Sequence, residues 1–152
     1  MKTILFVCLG NICRSPMAEF VMKDMLQKNR LTHLAEVASA ATSSYEIGNP
    51  VHPGTREKLS QHRISCKGKT ARQLTRADYK AYDLIIGMDG GNMRDMLRIF
   101  GGDPEQKLHK LLSFCGDDSD VADPWYTGDF EATWRDVNRG CRALLDKLQN
   151  EH

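Results

Sequence analysis

At 152 residues, with 21 basic side chains against 20 acidic ones, the chain is long enough for one hydrophobic core and is almost neutral. A chain of this length buries roughly 68–70% of its unfolded surface, so residues 1–152 are read as a single domain. The charge balance offers no footing for nucleic acid or a membrane surface, and no apolar run approaches the length of a spanning helix.

The chain opens on Thr3-Ile4-Leu5-Phe6-Val7, short, β-branched and aromatic, which reads as a buried strand. With Lys2 it faintly mimics a signal peptide, but the run ends at Asn11 and Arg14 without a small-residue cleavage pattern. A strand, and a cytoplasmic protein, are the expectation. Directly behind it stands Cys8-Leu9-Gly10-Asn11-Ile12-Cys13-Arg14-Ser15-Pro16. Ser15 is placed to cap a helix and Pro16 to occupy its first position, with Met17, Phe20, Val21 and Leu26 along one face.

A loop between a strand and a helix start turns its backbone N–H groups toward the positive end of the helix, a seat for a phosphate-like dianion. Cys8 lies at the rim, and the field that holds an anion also favours thiolate over thiol, so Cys8 is a candidate nucleophile. Arg14 adds a planar fork able to grip two phosphoryl oxygens. Gly10 is expected to take a left-handed turn, and Asn11 to tolerate one. Cysteine, five residues, arginine and serine, set between Val7 and Pro16, resemble the signature loop of the low-molecular-weight protein tyrosine phosphatases.

The first helix runs out near Asn29-Arg30, and residues 36–42 alternate weakly as a second strand. A polar, irregular loop over residues 43–53 follows. Ser39-Ala40-Ala41-Thr42-Ser43 with Tyr45 and Gly48-Asn49-Pro50 resembles the family segment along one side of the substrate cleft. The resemblance implies that Tyr45 is a cleft wall and that Ser39 pins Asn11. Residues 53–62 form a helix candidate, and Lys67, Lys69, Arg72, Arg76 and Lys80 make the most basic stretch, read as a solvated face rather than a dock for acidic segments. Ala71-Arg72-Gln73-Leu74-Thr75 matches the family, but the histidine often found shortly before it in the family's eukaryotic pattern is missing, together with any hydrogen bond it would lend the loop.

Thr75 and Asp78 resemble a capping pair for one helical turn, and residues 82–88 form a clear interior strand. Asp89 can cap the next helix, whose Met93, Met96, Leu97 and Phe100 share a face that ends at Gly101-Gly102, with Gly90-Gly91 expected to loosen its start. Residues 107–114 supply another strand. A final helix from about Asp129 carries Phe130, Trp134, Val137, Cys141, Leu144, Leu145 and Leu148 on one stripe. Strands alternating with helices give an α/β fold, a four-stranded parallel sheet flanked by helices with right-handed crossovers and a phosphate-binding loop after strand 1. Ligands of such sheets bind beyond the carboxyl ends of the strands, where Cys8 lies.

Cysteines at 8, 13, 66, 115 and 141 show no paired metal spacing and no secreted disulfide framework, which favours a reducing compartment. Histidines at 33, 52, 62, 109 and 152 are scattered, and neither a metal nor a cofactor is expected.

Expelling an alkoxide or phenoxide from phosphorus calls for a general acid. Four carboxylates, Asp117, Asp118, Asp120 and Asp123, crowd the loop at 116–126, and spacing alone does not choose among them. Asp123 stands out because Pro124 fixes its backbone and Trp125-Tyr126 can shield a carboxyl. Its Asp-Pro-aromatic-Tyr run resembles the family's general-acid loop, with Trp125 where tyrosine is common. The implied chemistry is displacement by Cys8, with Arg14 and the loop amides holding the oxygens and Asp123 giving a proton. Hydrolysis of the cysteinyl phosphate follows, with Asp123 as base and Ser15 easing thiolate release.

Leu9, Ile12, Tyr45, Trp125 and Tyr126 would line a deep apolar cleft suited to a flat aryl phosphate. Relatives acting on phosphoarginine tend to carry threonine at the position of Ile12, so phosphotyrosine is favoured. Cys13 reads either as buried filler or, as the resemblance implies, as a thiol that traps oxidised Cys8 in a disulfide. Cys66, Cys115 and Cys141 are read as structural.

Two alternatives stand beside the phosphatase. An arsenate reductase of the same fold would need a further cysteine pair, and Cys66 and Cys115 stand alone. A non-catalytic phosphocysteine carrier or anion-binding module would have no use for Arg14 and Asp123. The expected partners are phosphotyrosine-bearing proteins, with inorganic phosphate as product. The protein is expected to be a monomer, with weak dimerisation as the alternative.

Overall fold

The computed structural model describes residues 1–151; His152 lies outside them. Strand β1 (Lys2–Cys8) is central, pairing in parallel with β2 (Ala35–Ala41) on one side and β3 (Leu84–Gly87) on the other. Strand β4 (Leu108–Lys110) joins β3, giving the order β2-β1-β3-β4 in a four-stranded parallel sheet. The connections that leave the neighbours β1 and β3 run to opposite edges of the sheet, β1 to β2 and β3 to β4, so they diverge beyond the carboxyl end of β1 and open a crevice at Cys8.

Because side chains alternate along a strand, β1 divides itself between two cores. Ile4, Phe6 and Cys8 face one core, shared with Met17, Val21 and Met22 of α1 (Arg14–Lys28) and Val137, Cys141 and Leu144 of α6 (Phe130–Glu151). Leu5 and Val7 face the other, which contains Leu74, Met96 of α4 (Gly90–Phe100) and Tyr79 of α3 (Asp78–Ala81). Residues 4–7 of β1 are fully buried, which explains an unbroken apolar run where a one-sided strand would alternate. Among the described residues no helix is long and apolar enough to cross a membrane.

Several expectations are corrected here. Helix α1 starts at Arg14 with Cys13 at its N-cap, so Ser15 lies inside the first turn and caps nothing. The strand expected over 107–114 ends at Lys110, and Leu111–Cys115 coils into a 3-10 turn. That turn drives Leu111 against Gly140 of α6, where a Cβ would stand 2.4 Å from the leucine side chain.

Gly90-Gly91 does not loosen α4. Asp89 Oδ1 accepts from the Asn92 N–H at 2.7 Å, and Asn92 Oδ1 accepts from the Asp89 N–H at 3.2 Å, a reciprocal box that encloses both glycines. The basic stretch is not uniformly solvated either. Arg72 forks onto Asp78 at 3.1 Å through both terminal nitrogens, and the Lys69 side chain is only 14% exposed. Helix α2 (Pro53–Gln61) follows its expected bounds closely.

Candidate active site

Four carbonyls of the loop between β1 and α1 are bonded to neighbouring segments. Cys8 O accepts from Thr42 N, Leu9 O from Ser43 N and Oγ, Ile12 O from His52 N, and Cys13 O from Thr55 Oγ1. With those carbonyls held, amides turn to the thiol: the N–H groups of Asn11 and Ser15 lie 3.3 and 3.4 Å from Cys8 Sγ, and Ser15 Oγ lies 3.0 Å from it. The left-handed residue is Asn11, at φ +58°, and Gly10 is not left-handed, contrary to expectation.

The strained Asn11 backbone is held through its side chain. Nδ2 donates to Ser15 Oγ at 2.8 Å and to Ser39 Oγ at 2.9 Å, while Oδ1 accepts from the Arg72 N–H at 3.2 Å. Ser39 Oγ in turn donates to Glu19 Oε1 at 2.6 Å, and Glu19 is buried in α1 against Lys23 and Lys69. Lys69 Nζ also donates to Ser39 O at 3.0 Å. Burial lowers the pKa of Lys69, against the opposing pull of Glu19. Lys69 thus lends this network a donor from the segment where the family's histidine is missing.

Arg14 is 2% exposed. Its Nη1 donates to Asp89 Oδ2 at 2.7 Å and to Val121 O at 3.0 Å, and Nη2 lies 3.3 Å from Asp123 Oδ2. Burial pushes its pKa down, but the Cys8 sulfur and the Asp89 and Asp123 carboxylates outweigh that and raise it, so the guanidinium stays charged. Burial pushes the Cys13 thiol up to about 12, with the neighbouring Cys8 adding to the rise, which keeps that thiol protonated.

The structure separates the four carboxylates that spacing could not. Asp117 pairs with Arg139 at 2.9 Å, Asp120 with Lys110 at 2.7 Å, and Asp118 offers its carbonyl to Lys110 Nζ. Asp123 alone of the four reaches the pocket. It caps the short α5 (Pro124–Thr127) through Oδ1, which accepts from the Trp125 N–H at 3.0 Å, and leaves Oδ2 to Arg14.

Cys8, Cys13, Arg14 and Asp123 line a pocket of about 220 Å³, whose walls include Leu9, Gly10, Ile12, Tyr45, Trp125 and Tyr126. Asn11, Ser15 and Ser39 stand behind it. The rim aromatics are open to solvent, Tyr45 and Tyr126 at 79% and Trp125 at 60%. Sequence reasoning passed over Glu46 on the pocket wall, Asp89 as partner of Arg14, and Glu19 with Lys69 behind the loop. Asp89 is the helix cap that the sequence suggests, and more: Oδ1 caps α4 while Oδ2 holds Arg14. Cys66, Cys115 and Cys141 lie outside the pocket, and no described cysteine is in a disulfide. No described group of three or more histidine, cysteine or acidic side chains is arranged to hold a metal.

A thiol beneath an amide-lined loop at the end of a parallel strand, with a buried arginine and a carboxylate facing the same pocket, defines a phosphate-loop α/β protein equipped for transfer to sulfur. Comparison with known proteins narrows the class. The family model for low molecular weight phosphotyrosine protein phosphatases matches residues 3–152, and the chain belongs to that family. It is 40% identical over 153 residues to the low molecular weight protein-tyrosine-phosphatase YfkJ of Bacillus subtilis, covering 99% of this chain and 98% of that one. It is also 40% identical over 149 residues to PtpA of Staphylococcus aureus, covering 97% and 94%. The crystal structure of YfkJ superposes with a TM-score of 0.95 over 99% of this chain and 96% of that one. That of the Streptococcus pyogenes low molecular weight protein tyrosine phosphatase gives 0.88 at 39% identity, over 100% and 99%.

Proposed function

We propose that the protein is a cysteine-dependent protein-tyrosine phosphatase in which Cys8 is the nucleophile and Asp123 the general acid. The observation that carries this reading is the placement of both around one pocket, with two backbone amides and Ser15 Oγ on the Cys8 sulfur and the Arg14 guanidinium next to Asp123.

The Cys8 thiolate attacks phosphorus while the ester oxygen leaves, taking the proton of Asp123, and the phosphoryl group passes to sulfur. Nη1 of Arg14 is committed to Asp89 and Val121, so its Nε–Nη2 edge is the one that meets two equatorial phosphoryl oxygens. Those oxygens compete with Asp123 Oδ2 for Nη2, freeing that carboxyl for the leaving group. In the second step Asp123, now a carboxylate, takes a proton from water as the water attacks phosphorus. The thiolate departs toward Ser15 Oγ, releasing inorganic phosphate. Charge is met by Arg14 and the loop amides.

Phosphoprotein substrates follow from the family, and phosphotyrosine is the class that fits these walls. Tyr45, Trp125 and Tyr126 stand up around the pocket, and Ile12 replaces the threonine associated with phosphoarginine. A cytoplasmic monomer acting without metal completes the reading.

The test is hydrolysis of aryl phosphates in excess chelator by the parent, Cys8→Ser and Asp123→Ala. Loss of turnover in Cys8→Ser is expected. Asp123→Ala is expected to fall by about 10²–10⁴-fold on a poor leaving group and by much less on a good one. Turnover that survives Cys8→Ser overturns the mechanism, and a parent that binds phosphate without turnover points to the carrier reading.

A further inference from the structure

Helix α2 begins where the two halves of the site meet, and His52 stands at the junction. Its backbone N–H donates to Ile12 O at 2.9 Å, and Thr55 Oγ1 donates to Cys13 O at 3.2 Å, so the helix start is fastened to the phosphate-binding loop. Its imidazole reaches the acid loop. The ring stacks on Phe130 at 5.3 Å with planes 22° apart, and meets Trp125 edge-on at 5.8 Å and 79°. Gly54 makes the stack possible, since a Cβ there would fall 2.3 Å from the Phe130 ring. The ring is oriented by the Gly54 N–H, which donates to His52 Nδ1 at 3.0 Å.

Trp125 follows the acid by two residues and Phe130 opens α6 just beyond, and Trp125 is also the residue whose N–H holds Asp123 Oδ1 at 3.0 Å. One imidazole thus links the start of α6 to the aromatic residue beside the acid, which is otherwise 60% exposed. We propose that His52 is a positioning residue for proton transfer, its ring fixing Trp125 and thereby aiming the Asp123 carboxyl at the leaving oxygen over Cys8. This rests on the reading of Asp123 as general acid. The contacts work together: the backbone of His52 sets the distance to the nucleophile loop, and its ring sets the pose of the acid loop. A group displaced by a fraction of an ångström loses much of its advantage in such a transfer.

The experiment compares kcat/KM for phenyl phosphate, whose leaving group needs a proton, with that for 2,4-dinitrophenyl phosphate, whose leaving group does not. His52→Asn keeps the backbone donor and a short capping acceptor but removes the ring. It is expected to lose about tenfold on phenyl phosphate, a fraction of the acid's own contribution, and no more than about twofold on the dinitrophenyl ester. His52→Phe, which restores a ring, is expected to return the ratio between the two esters to within about twofold of the parent. Trp125→Leu reads the same contact from its other side and is expected to shift the ratio in the same direction.

Equal losses on both esters in His52→Asn, or no loss on phenyl phosphate, overturn the proposal. Should that variant fail to fold, an unchanged ratio in Trp125→Leu overturns it instead. Asp123→Asn separates the two layers. If it leaves the ratio unchanged, the acid assignment falls and takes His52 with it; if it shifts the ratio while His52→Asn does not, only the role of His52 falls.

Discussion

The two loops that meet in the pocket are built in opposite ways. Residues 8–15 are tied down at many points: the carbonyls of Cys8, Leu9, Ile12 and Cys13 are bonded to neighbouring segments, Asn11 is pinned by Ser15, Ser39 and Arg72, and Arg14 is 2% exposed between Asp89 and Val121. Residues 116–128 have their charges spread over exposed pairs, their aromatics in solvent, and the acid held by a one-turn helix cap and one arginine nitrogen. A dianion and its attacking sulfur need donors preorganised before the substrate arrives, because reorienting dipoles during reaction costs the stabilisation they offer. A proton donor that must meet varied aryl groups needs a defined distance to one oxygen and room above it.

The sharpest break of that contrast is Arg14→Lys. An ammonium cannot hold Asp89, Val121 O and two phosphoryl oxygens from one plane, and kcat/KM on aryl phosphates is expected to fall on the order of 10²–10³-fold. Glu19→Ala strikes the same loop from behind. It strips the buried anion from Lys69 and the acceptor from Ser39, and is expected to lower unfolding free energy by about 3 kcal/mol, read from denaturant midpoints at unchanged m-value.

On the open side effects are smaller. Tyr126→Ala, at a residue 79% exposed, is expected to raise KM a few-fold with kcat nearly unchanged, the sign of lost uniform binding.

The smallest effect lies at the far end of that loop. Hydrogen bonds from Ser119 and Arg139 hold the folded-state Asp117 carboxyl down to about 2, so its contribution to stability is present above the unfolded value near 3.9 and is lost as pH falls toward about 2. Asp117→Asn should therefore melt slightly below the parent at neutral pH, and the gap should close between about pH 4 and 2.

The same contrast governs how much could be read from sequence. The rigid loop was legible because its logic is local: Cys8, Arg14 and Ser15 sit on consecutive turns of strand, loop and helix, and the apolar run before them marks a strand buried on both faces. What was lost lay across the fold. Lys69 looked like one more surface cation because Glu19, its buried partner, belongs to a different element. Ser15 has the chemistry of a cap, but the helix starts two residues earlier than Pro16, at Arg14, and the Ser15 hydroxyl turns to Cys8. The apolar pattern runs past the end of β4 because Leu111 and Leu112 are as apolar as a strand demands, whereas the chain coils there against Gly140 of α6. The acid could be narrowed to Asp123 by its neighbours Pro124 and Trp125, whereas the histidine packed against that tryptophan gives no local signal at all.

Asp89 spends its two oxygens on different tasks, one closing the start of α4 and the other gripping Arg14. Sequence variation at this position is therefore constrained twice over. Glutamate is too long to sit in the capping box, while asparagine and serine can cap but bring no charge to the guanidinium. A drift experiment that selects only for folding should admit those neutral caps, and one that selects for turnover should not. The difference between the two accepted alphabets at one codon would then separate the demand of the helix from the demand of the chemistry.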